Sequence, residues 1–117
     1  MEQIVLTKKD VISFNQKFDK GNFNNESSLD FALNLQKQHI AWTKKLAYLA
    51  RAILIDHVFE EGNKRTAAAV LFFYAEHEGY SISDAAAVKI IKSILFANTT
   101  SIAKIRGMIE NAITKKD

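Results

Sequence analysis

The segment AAAVLFFYA, residues 67–75, is the feature that most limits what this chain can fold into. It is apolar almost all round a helix, and a helix of that kind is typically buried at the centre of a domain. Gly79 follows it and is placed to end the helix as a glycine just past the last turn. The sequence contains no proline, so the commonest helix breaker is absent. We therefore predict a chain built mainly of helices around this segment.

Most of the remaining chain shows apolar residues at helical spacing. Polar composition predicts a loop at KGNFNNESS, residues 20–28, whereas NLQKQHIAW, residues 34–42, fits either an extended piece or a frayed helix end. A short extended link is expected over residues 80–83. The other helices are predicted over 8–18, around Leu29, Ala32 and Leu33, over 42–56, over 84–97, and around Ile102, Ile105, Ile109 and Ala112.

The predicted fold is therefore all-α, a single compact bundle of about six helices with at most a small β-hairpin or extended flap. Residues 1–117 are expected to form one domain, because no linker is long enough to divide them. Side chains that cap helices support the boundaries. Thr7 with Asp10 predicts a capping box, and Ser28 and either Thr100 or Ser101 precede later helices, while Asn63 is placed to cap the apolar helix.

Composition excludes several classes of protein. The chain has no cysteine, which excludes disulfides and zinc–thiolate sites. No apolar run approaches the roughly 20 residues of a membrane span, and MEQIVLTKKD lacks the features of a signal peptide. The net charge of +3 is mild and the basic residues are scattered, so a nucleic-acid-binding module is a weak alternative. We expect a cytoplasmic protein with no membrane and no nucleic-acid partner.

The segment HVFEEGNKRTA, residues 57–67, carries more charge than a turn between two helices requires. Lys64 and Arg65 fall in the first helical turn, where the helix dipole disfavours cations. Cations beside the free N–H groups of a helix start are explained if an anion such as phosphate binds there. A nearby glutamate would oppose bare phosphate unless it holds a divalent cation that bridges to it. His57 at the mouth of the loop is then a candidate general base.

Each of these residues also has an ordinary structural explanation. A histidine at a helix end is more often a cap or a packed side chain than a catalyst. Glu60, Glu61, Lys64 and Arg65 taken singly would be solvated surface charges, and Phe59 is best explained as a core anchor that pins the loop. Their joint spacing is what favours a site.

That spacing resembles the signature of the Fic/Doc family, H-x-F-x-[DE]-[GA]-N-[GK]-R. The flanking helices are similar as well, and SSLDFALNLQKQ, residues 27–38, resembles the segment near the family's flap, though without its usual proline. The resemblance extends over roughly residues 4–114. Every defining position of the signature is met, by His57, Phe59, Glu61, Gly62, Asn63, Lys64 and Arg65.

Within the family, the chain is most similar to the death-on-curing (Doc) branch. Classical Fic enzymes, which transfer AMP to a protein hydroxyl, read H-P-F-x-[DE]-G-N-G-R-x-x-R. This chain has Val58, Lys64 and Ala68 in place of the proline, the second glycine and the last arginine. The Doc-like resemblance implies transfer of the γ-phosphate of ATP to a Ser or Thr hydroxyl of a target protein. AMP transfer and a non-catalytic interaction domain of the same fold remain the alternatives.

The resemblance also implies roles for residues. His57 would deprotonate the target hydroxyl, Glu61 would hold Mg²⁺, and Phe59 would support the loop from the core. The phosphates of ATP would be cradled by four consecutive residues, Gly62, Asn63, Lys64 and Arg65.

The resemblance implies a regulatory partner too. Many family members carry an inhibitory helix reading [ST]-x-x-x-E-[GN]. Each glutamate here that precedes Gly or Asn lacks Ser or Thr four places earlier, where His57, Tyr74 and Arg106 stand instead. We therefore expect control by a separate antitoxin protein.

Overall fold

Six α-helices make up most of residues 4–117, which are the residues that a computed structural model of the chain describes. The all-α prediction is confirmed. A 3₁₀ turn at Leu35–Lys37 follows the second helix. The helices are α1 Lys8–Gln16, α2 Glu26–Asn34, α3 Trp42–Leu54, α4 Asn63–His77, α5 Asp84–Ala97 and α6 Ile102–Ala112.

The strand content of the described residues is one short antiparallel pair. β1, Tyr80–Ser81, pairs with β2, Thr114–Lys115, so that Tyr80 lies opposite Lys115. Because α5 and α6 lie between the two strands in sequence, the pair fastens the end of the described chain to the link after α4. The predicted domain and the predicted absence of a signal peptide both include residues 1–3, which lie outside the described residues. Within residues 4–117, no helix combines the length and the apolar character that crossing a membrane requires.

The helix ends show which capping predictions hold. Thr7 and Asp10 form the predicted capping box: each side chain accepts a hydrogen bond from the other residue's backbone N–H. Ser101 caps α6. The prediction for Ser28 is wrong, because α2 begins at Glu26 and Asn25 is its cap, with the Ser28 N–H as donor.

The prediction that Asn63 caps α4 is also wrong. Gly62 occupies the cap position, with φ 77°, and Asn63 is the first helical residue. At the other end of α4, Glu78 is the C-cap residue. Gly79 follows it with φ 86°, as expected of a glycine that ends a helix.

The core is centred on α3, which packs against α2, α4 and α6. The prediction that residues 67–75 form the buried centre is correct only for one face of α4. Phe73 on the opposite face is 41% exposed, and its ring lies 5.5 Å from that of Phe14 in α1. The composition misleads here because small alanines such as Ala68 and Ala69 tolerate half-exposed positions.

The ambiguous segment 34–42 forms a 3₁₀ turn that carries a buried polar anchor, Gln36. Its Oε1 accepts from the backbone N–H groups of Val5 and Leu6, and its Nε2 donates to the Leu6 carbonyl at 2.8 Å. The segment that resembles the family's flap region therefore lies in helix α2 and this turn. Gln36 in the turn fixes the backbone of Val5 and Leu6 to the core.

Candidate functional site

The connection between α3 and α4 turns sharply at His57. This residue has φ 52°, in the left-handed region that residues other than glycine seldom adopt. His57 is exposed, while Val58 and Phe59 directly after it are fully buried. The turn therefore presents an imidazole to solvent on a backbone whose next two residues are held in the core.

Residues 22–25 lie antiparallel along this connection and hold it from outside. The Asn24 side chain donates to the His57 carbonyl at 3.0 Å, and the Asn24 backbone N–H donates to the Val58 carbonyl at 2.8 Å. These bonds compensate part of the strain of the left-handed residue. They engage only the backbone of this turn, and no side chain in the described part of the chain bonds to the His57 imidazole.

Phe59 and Asn63 hold the connection from inside. The Phe59 ring is fully buried and stacks on Phe23, with centroids 5.2 Å apart. The Asn63 side chain accepts from the Phe59 N–H at 3.0 Å and donates to the Phe59 carbonyl at 2.9 Å. Both polar groups of Asn63 are thus engaged in closing the loop, which makes its side chain a brace between the loop and α4.

A third contact comes from Asn15 of α1, which is fully buried. Its Nδ2 donates to the Glu61 carbonyl at 2.9 Å and to the Thr66 hydroxyl at 3.1 Å, while its Oδ1 accepts from the Gly21 N–H at 2.8 Å. A Cβ on Gly62 would lie 3.0 Å from this Nδ2. Glycine at position 62 therefore meets two demands, a positive φ and close approach of a buried amide.

The start of α4 presents backbone donors and cations together. Thr66 is the first residue whose N–H closes a helical turn, donating to the Gly62 carbonyl at 3.0 Å. No side chain of residues 4–117 caps the terminus, and its first turn contains no acidic residue. Lys64 and Arg65 are exposed in that turn. Partial positive charge from the helix and two full positive charges therefore coincide, as they do where anions bind.

Arg65 has a definite neighbour. Its guanidinium carbon lies 5.2 Å from the ring centroid of Phe18, which is close enough for a cation–π interaction. A planar guanidinium held over a ring keeps its N–H fork available at the edge. The contact with Phe18 thus limits the positions that the Arg65 guanidinium can adopt.

One cleft of about 440 Å³ collects these groups. The basic, acidic and glycine residues of the 57–65 segment occupy one side. Leu54 of α3 and Leu95 of α5 supply apolar wall, and Phe18 and Asp19 close the side next to α1. The predicted residues on its lining are His57, Glu61, Gly62, Asn63, Lys64 and Arg65, whereas Phe59 lies beneath the loop.

Glu61 is the carboxylate of the motif that could hold a divalent cation at this cleft, and Asp19 is a second carboxylate on the same lining. Glu61 is exposed on the lining, next to the helix start. Among residues 4–117, no group of three or more His, Asp or Glu side chains could enclose a metal. A single carboxylate fits Mg²⁺ brought in with a nucleotide, because Mg²⁺ takes its other ligands from phosphate oxygens and water.

Three polar residues of the site escape the sequence patterns: Asn15, Asp19 and Asn24. Asn15 looks like a polar position on an amphipathic helix, and only the tertiary contact reveals its burial. Asp19 and Asn24 lie in or beside the polar stretch predicted as a loop. The one available signal was the asparagine-rich run GNFNN, since asparagine side chains readily bond to backbone groups in loops.

Comparison with protein-family models, with curated proteins and with solved structures gives no match.

Proposed function

We propose that this chain transfers the γ-phosphate of ATP to a Ser or Thr hydroxyl of a target protein, as the Doc-like toxins of the Fic/Doc family do, and that it acts in a toxin–antitoxin pair. The observation that carries the proposal is the cleft described above. A candidate base, a carboxylate, an uncapped helix start and two cations line one cavity of about 440 Å³. Packing alone requires no such combination.

His57 takes the role of general base. The oxygen of the target hydroxyl attacks the γ-phosphorus of ATP, and its proton passes to a ring nitrogen of His57. The bond between the γ-phosphorus and the oxygen that bridges to the β-phosphate breaks, and ADP leaves with that oxygen. The backbone at His57 is strained and is held in place by the two hydrogen bonds from Asn24. This supports the role, because a base must be positioned before the substrate arrives.

The start of α4 binds the phosphates. Backbone N–H groups at Asn63, Lys64 and Arg65 precede the first helical hydrogen bond, and they suit phosphate oxygens. The side chains of Lys64 and Arg65 add charge. Asn63 contributes through its backbone and through the loop closure it makes with Phe59. Glu61 would hold Mg²⁺, which when bound neutralises phosphate charge.

Lys64 is the basis for choosing phosphoryl over adenylyl transfer. The AMP-transferring pattern has glycine at this position, and here an exposed ammonium stands in the first turn of α4. A point charge at the phosphate cradle can favour another nucleotide orientation and so present a different phosphorus to the nucleophile. AMP transfer is the outcome that the experiment must separate.

Labelled ATP provides the test. Purified protein is incubated with Mg²⁺, a cell lysate and ATP labelled at either the α or the γ phosphorus, and labelled proteins are separated by size. We expect γ label on a target protein, no α label, and neither with His57→Ala. Transfer of the α label alone would show an AMP transferase, and transfer of neither label would indicate an interaction domain.

A further inference from the structure

One face of α5 carries an apolar stripe that the fold leaves partly uncovered. Counted from Val88, its apolar members lie 0, 3, 7 and 8 positions along the chain, which puts them on one side of a helix. Phe96 is 95% exposed and Val88 is 48% exposed. A helix normally turns such a stripe into the core. The apolar members are Val88, Ile91, Leu95 and Phe96, and Lys92 lies between them on the same side.

Lys64, Arg65 and Ala68 of α4 form the opposite wall of a groove with this stripe, which we call the α4–α5 groove. Its volume is about 490 Å³. Lys64, Arg65 and Leu95 also line the cleft that contains His57, so the groove opens into the candidate active site. A chain lying in the groove would reach that cleft without leaving the surface.

The groove is edged by positive charge. Lys64, Arg65 and Lys92 line it, and no acidic residue among those that the structure describes does. Within residues 4–117, neither Lys64 nor Lys92 takes part in an ion pair. An apolar floor between unpaired cations complements a ligand that carries apolar and acidic side chains together.

We propose that the α4–α5 groove binds a segment of the target protein that carries apolar and acidic residues next to the acceptor hydroxyl. This inference rests on the proposed function, which supplies the target and the hydroxyl. The stripe from Val88 to Phe96 runs about 12 Å along the helix axis. An extended chain covers that distance with roughly four residues. Recognition therefore extends about four residues to one side of the acceptor.

Other occupants fit the groove less well. A second copy of this chain, placed symmetrically, would bring three cations against three cations. A nucleotide base is uncharged and would leave Lys92 and the protruding ring of Phe96 without a role. A peptide that combines acidic and apolar side chains uses both.

Binding of designed peptides tests the proposal without ATP. The probe is a fluorescein-labelled twelve-residue peptide with one central threonine followed by alternating leucine and glutamate, measured by fluorescence anisotropy. One companion peptide has lysine for glutamate, and another has serine for leucine. We expect the first peptide to bind, and both companions to bind at least tenfold more weakly.

Variants locate the binding. Phe96→Ala should weaken binding at least tenfold without loss of helicity, because the ring is almost fully exposed. Phe31→Ala is the matched control: Phe31 is 58% exposed, lies on α2 and faces Tyr48. It should bind as the unaltered protein does. Lys92→Glu should shift the preference towards the lysine peptide, whereas Lys104→Glu on α6 should not.

Several results would overturn the proposal. These are no binding by the leucine–glutamate peptide, equal binding by Phe96→Ala, displacement of the peptide by adenosine, or a dimer in sedimentation that Phe96→Ala dissociates. The proposed function fails separately. Peptide binding with the expected variant pattern, in a protein that transfers no label from ATP, would remove the transferase proposal and retain the ligand chemistry of the groove.

Discussion

At the scale of single residues, His57 joins a strained backbone to an exposed side chain. Its φ of 52° would suit glycine better, since a left-handed residue with a Cβ costs roughly 1–2 kcal/mol. Bonds from Asn24 hold the backbone in that state. A histidine retained under such strain is better explained by the chemistry of its imidazole than by packing.

The prediction for His57 uses two replacements. His57→Ala and His57→Gly should both abolish transfer of the γ label. The alanine variant should keep its stability within about 0.5 kcal/mol, because the lost side chain is exposed. The glycine variant should melt no lower than the alanine variant, because it relieves the positive φ. Label transfer and thermal unfolding are measured on each.

His77→Ala, which removes an exposed histidine paired with Glu78, is the matched control and should transfer label at the original rate. Transfer at the original rate by either His57 variant would reduce His57 to a structural residue.

A second residue-scale prediction concerns Lys64. Lys64→Gly should lower γ-phosphate transfer by a factor on the order of 10²–10³, the usual effect of losing one electrostatic contact to a transferring group. Stability should change little. Glycine in a helix costs roughly 1 kcal/mol, and relief of an unfavourable charge–dipole contact offsets part of it.

Lys104→Gly is the matched control, because Lys104 also lies exposed in the first turn of a helix, α6. It should lose similar stability and no activity. Undiminished γ transfer in Lys64→Gly would remove the main reason to prefer a kinase over an AMP transferase.

At the scale of elements, replacing either of two glycines by alanine should change the stability of the chain in opposite directions. Gly62→Ala should destabilise the chain by at least about 1 kcal/mol, because alanine disfavours the positive φ and its Cβ would lie 3.0 Å from the Asn15 amide. Gly107→Ala should stabilise it by roughly 0.5–1 kcal/mol. Gly107 is inside α6, and a Cβ there meets nothing within 4 Å.

Urea unfolding of both glycine variants gives the comparison. The site should respond as well, so Gly62→Ala should also weaken ATP binding, whereas Gly107→Ala should leave it unchanged. Equal stability changes in the two variants would mean that the contact with Asn15 does not constrain the loop.

For each element, the sequence predicts that a helix is present better than it predicts the residues at which the helix begins and ends. Apolar spacing locates five of the six helices, because burial of one face is a local pattern, and the apolar run at residues 67–75 locates the sixth. It fails at Ser28 and Asn63, where several polar residues compete for one terminus and the fold decides which reaches it. Asn25 caps α2, and Asn63 instead bonds to the Phe59 backbone.

In the candidate site, too, residues close together in the sequence could be predicted, and a residue that the fold brings in from another segment could not. The 57–65 motif is contiguous in sequence, and most of its residues line one cleft. Asn15 could not be predicted, because two of its three partners, Glu61 and Thr66, lie 46 and 51 positions away in the sequence and only the tertiary structure brings them to it.

At the scale of the whole molecule, the proposed function predicts an effect on cells. Expression in a suitable bacterial host without a partner should arrest growth, and His57→Ala expressed at the same level should not. Growth curves and immunoblots of the two proteins make the measurement. High-level expression of protein that is active in the label assay, with normal growth, would contradict a toxin role.

The Asn15 anchor also has a consequence for the order in which the molecule forms. Its bonds to Glu61 and Thr66 span 46 and 51 positions of sequence. Contacts this distant in sequence carry a loop-closure entropy cost, and both partners must be present before they can form. During synthesis, which proceeds from the N-terminus, α1 leaves the ribosome long before the residues it must anchor. A nascent chain that stops short of residue 66 therefore cannot contain an assembled site, and a ribosome-bound series of lengthening chains would gain ATP binding in one step after that point.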